Sequence, residues 1–137
     1  MAPVSYSTKN ASLTPTILVV DDEDLVRKMI ARMLQPMGYD ILHAANGTEA
    51  LTICEQWKGA IHLMVTDVMM PGMNGIDLVD CATERWPSIK ILFITGFATD
   101  AAIRRRTSNH PLLRKPFTRD QLAGQVQKLL NRSTTGI

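Results

Sequence analysis

At 137 residues, 45% hydrophobic and 20% charged, the chain has the size and composition of one globular domain with a core of its own. A net charge of +2 gives no support to bulk nucleic-acid binding, and no apolar run approaches the roughly 20 residues of a membrane span. Two cysteines, with no CxxC and no Cys/His cluster, leave no basis for a disulfide framework or a zinc site.

Residues 1–15, rich in Ser, Thr, Asn and Pro, lack a signal-peptide block and read as a mobile tail. A cytoplasmic location is therefore expected. Thr16–Val20 is a short continuous apolar run, as a strand buried on both faces should be. Val26, Met29, Ile30, Met33, Leu34 and Met37 follow at helical spacing and read as a core stripe, with Pro36 and Gly38 closing the helix. Tyr39–Ala44 reads as a second strand, and Asn46 with Glu49 caps a helix to about Trp57. His62–Thr66 forms a third strand that stops at Asp67. The loop "VMMPGMNG" leads to a helix near Ile76–Arg85.

Lys90–Thr95 is the fourth strand, followed by a weak helix near Asp100–Arg106. Its run Arg104, Arg105, Arg106 reads first as a solvated face, ahead of a docking patch for an acidic partner or a DNA contact. "PLLRKPF" supplies a short fifth strand, and Thr118 with Gln121 caps the last helix. Residues 133–137 read as a C-terminal tail. Cys54 and Cys81 each fall on a helix and are expected to be buried free thiols.

Five strand–helix units predict an α/β fold, an open parallel sheet of flavodoxin-like (βα)5 type with strand order 2-1-3-4-5 and helices on both faces. In that order the first and third strands are neighbours, and ligands bind beyond the carboxyl ends where the order reverses. Asp21 and Asp22 follow the first strand, Asp67 the third, Thr95 closes the fourth, and Lys115 follows the fifth.

Three carboxylates in one crevice raise one another's pKa unless a cation joins them. Hard oxygen donors without Cys or His suit Mg2+, with Mn2+ as an alternative. Together with a lysine and a hydroxyl, this is an apparatus for phosphoryl transfer onto a carboxylate. Asp67, alone at its strand end, is the expected nucleophile. Asp21 and Asp22 form the metal platform, and the Met69 backbone carbonyl is expected to complete it. Lys115 would pair with phosphoryl oxygens and the Thr95 hydroxyl would donate to one. Each part alone is ordinary turn or capping chemistry; the specificity lies in their joint placement.

"VVDDE", "TDVMMPGMNG", "FITG" and "LLRKPF" together resemble the response-regulator receiver domain of two-component signalling, over Thr16–Arg132. The resemblance implies a signalling switch that takes a phosphoryl group from a histidine kinase or phosphotransfer protein onto Asp67. Such a switch catalyses only its own phosphorylation and dephosphorylation. It also implies a cis bond between Lys115 and Pro116, and output to a protein partner through the fourth helix, fifth strand and fifth helix. No nucleic-acid or membrane contact is expected. Leu112 stands three residues before the lysine, where chemotaxis-type receivers carry an aromatic residue. Met69 and Phe97 fall at positions that flank the phosphoryl group and are expected to slow attack by water.

A haloacid-dehalogenase-like phosphatase also uses a strand-end Asp and Mg2+, but wants a second Asp where Met69 stands. A receiver-shaped module that is never phosphorylated is the third reading. Within the receiver reading, a stand-alone regulator is expected ahead of a domain cut from a hybrid kinase.

Overall fold

The alternation of side chains along five short apolar strands decides which helix covers which face. The computed structural model describes residues 14–96 and 101–130. The expected tails, apart from Thr14 and Pro15, and the expected role of Phe97 lie outside these residues. The strands are β1 (Thr16–Val20), β2 (Asp40–Ala44), β3 (Leu63–Asp67), β4 (Lys90–Thr95) and β5 (Leu112–Arg114). They pair in parallel in the order β2-β1-β3-β4-β5, with Ile17 beside Leu63 and Asp67 beside Ile94. The helices are α1 (Asp24–Leu34), α2 (Gly47–Gln56), α3 (Gly75–Arg85), α4 (Ala101–Thr107) and α5 (Arg119–Leu130). The expected fold and strand order are those observed.

On one face Ile17, Val19, Leu63, Val65, Leu92 and Ile94 meet Ile30 and Leu34 of α1 and Leu122 and Val126 of α5. On the other, Leu18, Val20, Met64, Ile91 and Phe93 meet Ala50 and Cys54 of α2 and Ile76, Leu78, Val79 and Ala82 of α3. Each fully buried Leu, Ile or Phe stabilises the fold by about 1.5–3 kcal/mol. Among the described residues, no helix is long and apolar enough to cross a membrane.

The caps follow from single side chains. Asn46 Oδ1 accepts from the Glu49 N–H at 2.8 Å, while Glu49 Oε1 accepts from the Ala45 N–H at 2.8 Å. Thr118 and Gln121 form the reciprocal pair, with Gln121 N–H on Thr118 Oγ1 at 3.0 Å and Thr118 N–H on Gln121 Oε1 at 2.9 Å. Pro36 sits in a 3-10 turn (Gln35–Met37) that Gly38 ends at φ 94°.

Several expectations need correction. The stripe on α1 is not wholly core: Ile30 and Leu34 are buried, but Met29 is 40% exposed because it turns toward the solvent side of the α1–α5 seam. Cys54 is buried as expected, whereas Cys81 is exposed, since α3 turns Leu78, Val79 and Ala82 inward. His62 falls outside β3; its Nδ1 accepts from the Thr16 N–H at 3.0 Å instead. Arg106 is not simply solvated: its guanidinium bridges Asp77 at 3.1 Å and Asp80 at 3.3 Å, tying α4 to α3.

Candidate functional site

Because β1 and β3 are neighbours, the residues that end them share one crevice. Carboxylate oxygens of Asp21, Asp22 and Asp67 all lie within 4.8 Å of one another. Lys115, delivered by β5, places Nζ 3.0 Å from Asp67 Oδ2 and 3.5 Å from Asp21 Oδ2. Its peptide bond to Pro116 is cis. The other oxygens are held by backbone: Asp67 Oδ1 accepts from the Met69 N–H at 3.0 Å and Asp21 Oδ1 from the Glu23 N–H at 2.9 Å. Asp21 Oδ2 is buried and has no hydrogen-bond partner among the described residues, the long contact to Lys115 lacking hydrogen-bond geometry.

Burial pushes the Asp21 carboxyl above its ordinary range, and the charges of Asp67 and Asp22 push the same way. The Glu23 N–H and Lys115 oppose them without prevailing. Burial also works against the charge on Lys115, but the hydrogen bond and charge of Asp67, with the charge of Asp21, hold its pKa above the usual value. Three carboxylates facing one ammonium leave the crevice negative. An all-oxygen donor set with a buried, unpartnered carboxylate oxygen fits a hard divalent cation such as Mg2+.

Thr95 is buried at the end of β4, one position beyond Ile94, the register partner of Asp67. Its carbonyl accepts from the Lys115 N–H at 2.8 Å, which joins the hydroxyl-bearing and lysine-bearing strand ends. Met69 is 50% exposed on the rim. Leu112 is half-buried against the Phe93 side of the core, with Phe93 as its register partner. All the strand-end residues expected from the sequence therefore come to one edge.

Two residues that sequence reasoning missed shape this edge. A Cβ on Gly75 would stand 2.0 Å from the Asp67 carbonyl oxygen, so α3 starts against the backbone of the acid itself. The signal was a glycine directly after the capping Asn74, read only as loop. Arg27 on α1 donates from Nη1 to the Asp21 carbonyl at 2.7 Å and from Nη2 to Asp24 Oδ1. Beside the crevice, Leu25, Met29 and Met33 with Lys28, Arg32 and Arg119 line a groove of about 300 Å³. Leu25 is 82% exposed there.

The model of the response regulator receiver domain family matches residues 17–127. The chain belongs to that family. The receiver is 36% identical to the response regulator receiver protein CpdR of Brucella abortus, over 83% of this chain and 95% of that protein. It is 38% identical to the sensor kinase CckA of the same organism over 96% of this chain, which spans only 15% of that kinase. Among solved structures, the response regulator TrrA of Thermotoga maritima, in complex with Mg2+ and BeF, is 32% identical with a TM-score of 0.75. That match covers 85% of this receiver and all of that chain.

Proposed function

We propose that this receiver accepts a phosphoryl group on Asp67 from a histidine kinase or histidine phosphotransfer protein, and signals by protein contact. The observation that carries the reading is the crevice itself: Asp67 held between a backbone N–H and Lys115, beside a buried Asp21 carboxylate oxygen with no hydrogen-bond partner among the described residues. When bound, Mg2+ supplies neutralisation of the phosphoryl oxygens. Asp21, Asp22, Asp67 and the Met69 carbonyl would hold it, and Mn2+ has the same preference for oxygen donors.

An Asp67 carboxylate oxygen attacks phosphorus, the new O–P bond forms, and the P–N bond of the donor phosphohistidine breaks toward the imidazole. Lys115 exchanges its contact with Asp67 for one with a phosphoryl oxygen, so its charge stays paired. The Thr95 hydroxyl donates to another. The groove between α1 and α5 offers apolar contact and the cations Lys28, Arg32 and Arg119 to an acidic donor domain. The charge gained at Asp67 is read on the face of α4, β5 and α5 by a downstream protein partner, without nucleic acid or membrane.

The whole chain is proposed as a domain over residues 16–132 with short tails, acting as a stand-alone regulator. The match to 95% of CpdR supports that reading. The free thiols Cys54 and Cys81 suit a reducing cytoplasm. Intact mass after incubation with acetyl phosphate tests the proposal. A gain of one phosphoryl group that requires Mg2+ and is lost in Asp67→Asn is expected. No gain under any condition would favour an interaction module that is never phosphorylated.

A further inference from the structure

One of the crevice acids, Asp21, is held through its backbone carbonyl by a cation that the phosphoryl chemistry leaves unused. Arg27 lies one turn into α1, with its side chain only 14% exposed beside the negative edge. Its two guanidinium nitrogens are divided between the Asp21 carbonyl, at 2.7 Å, and the Asp24 carboxylate. The chain from Asp21 to Asp24 is thereby closed into a loop, fastened across its mouth by a planar fork. Inside that loop the Glu23 N–H donates to Asp21 Oδ1 at 2.9 Å. With one carboxylate oxygen and the backbone carbonyl both engaged, Asp21 keeps only Oδ2 to present to Asp67 and Lys115.

We propose that Arg27 is a positioning residue for the divalent-cation site, fixing the direction of the Asp21 carboxylate by clamping the backbone of the acidic loop. The inference rests on the Mg2+-binding part of the proposed function. Two effects of Arg27 on a bound cation have opposite signs, and they can be told apart. As a mere positive charge nearby it repels Mg2+, so its removal would tighten binding. As a clamp it holds the donors in register, so its removal loosens binding. Partners behind metal ligands commonly change metal affinity by about 10- to 100-fold when lost. The clamp prevails because Arg27 grips the loop through the Asp21 carbonyl and Asp24, neither of which is among the carboxylate oxygens that would hold the cation. Lysine keeps the charge but not the planar two-armed geometry.

The test is a Mg2+ titration of the whole chain, followed by amide NMR shifts of residues 21–24 and 67–69, in wild type, Arg27→Met, Arg27→Lys and Asp67→Asn. The expected result is a Kd raised about tenfold in Arg27→Met. Arg27→Lys should fall between that variant and wild type, with circular dichroism unchanged in both. An unchanged or lower Kd in folded Arg27→Met overturns the proposal. If Arg27→Met fails to fold, Arg27→Lys decides: a Kd at or below the wild-type value overturns the clamp, and a higher one upholds it. Wild type that shows no Mg2+-dependent shifts, like Asp67→Asn, would instead overturn the metal-binding reading on which the inference stands.

Discussion

The two edges of the sheet treat their polar groups in opposite ways. At the amino edge they meet within the chain. The Thr16 N–H donates to His62 Nδ1 at 3.0 Å, the His62 N–H donates to the Thr16 carbonyl at 2.9 Å, and the Lys90 N–H donates to the His62 carbonyl at 3.0 Å. Above them Arg85 pairs with Glu55 at 2.8 Å and lies 4.4 Å over the Trp86 ring. At the carboxyl edge three acids face one lysine, and a buried oxygen is left over. The amino-edge groups named here are paired within the chain, whereas the buried Asp21 oxygen at the carboxyl edge would be satisfied by a ligand.

Removing a polar group should therefore have opposite signs at the two edges. The largest expected effect comes from the backbone contact that underlies the carboxyl edge. Gly75→Ala forces a Cβ against the Asp67 carbonyl, and should destabilise the fold by about 3 kcal/mol in urea unfolding. An effect below about 1 kcal/mol would show that the start of α3 yields easily.

A matched pair of substitutions separates the two edges. His62→Ala strands the Thr16 N–H and should lower stability by about 1–3 kcal/mol. Asp21→Asn relieves a buried charge and should raise the stability of the Mg2+-free chain by a similar amount. It should also remove the gain from Mg2+, about 2.7 kcal/mol at 100 times Kd in wild type. Loss of stability in Asp21→Asn without Mg2+ would show that the buried Asp21 charge does not cost the fold stability.

The smallest effect concerns pH. His110 stacks edge-on against Phe93 with ring centroids 5.8 Å apart. Burial holds its pKa below 6.5, and the charge of Asp80 opposes that only in part. The unfolded chain then takes up the proton first, so stability falls as pH drops through 6.5 and the full loss is reached below the folded value. His110→Phe should flatten this decline relative to wild type; an equal slope in both would place its origin elsewhere.

The strand-end acids were legible in the sequence because they follow from period and position, and the strand order because right-handed crossovers leave few arrangements of five strand–helix units. Apolar runs ending at Asp21 and Asp67 fix the depth of burial and the edge at once. Arg27 was not legible, because its partners are a backbone carbonyl and a neighbouring acid whose directions depend on how the helix begins. The exposure of Cys81 and Met29 depends on helix rotation, which a loose 3.6-residue pattern leaves uncertain by one position. Arg106 found its acids on α3, a helix that sequence spacing does not place beside it.

Of the three clustered carboxylates, Asp67 alone is proposed to take the phosphoryl group. Borohydride reduces an acyl phosphate to an alcohol, so it converts a phosphorylated aspartate to homoserine. Peptide mass spectrometry after acetyl phosphate, Mg2+ and borohydride would then read the site directly. Homoserine is expected at position 67, with Asp21 and Asp22 unmodified. Homoserine at position 21 or 22, or at none of the three, would contradict that assignment.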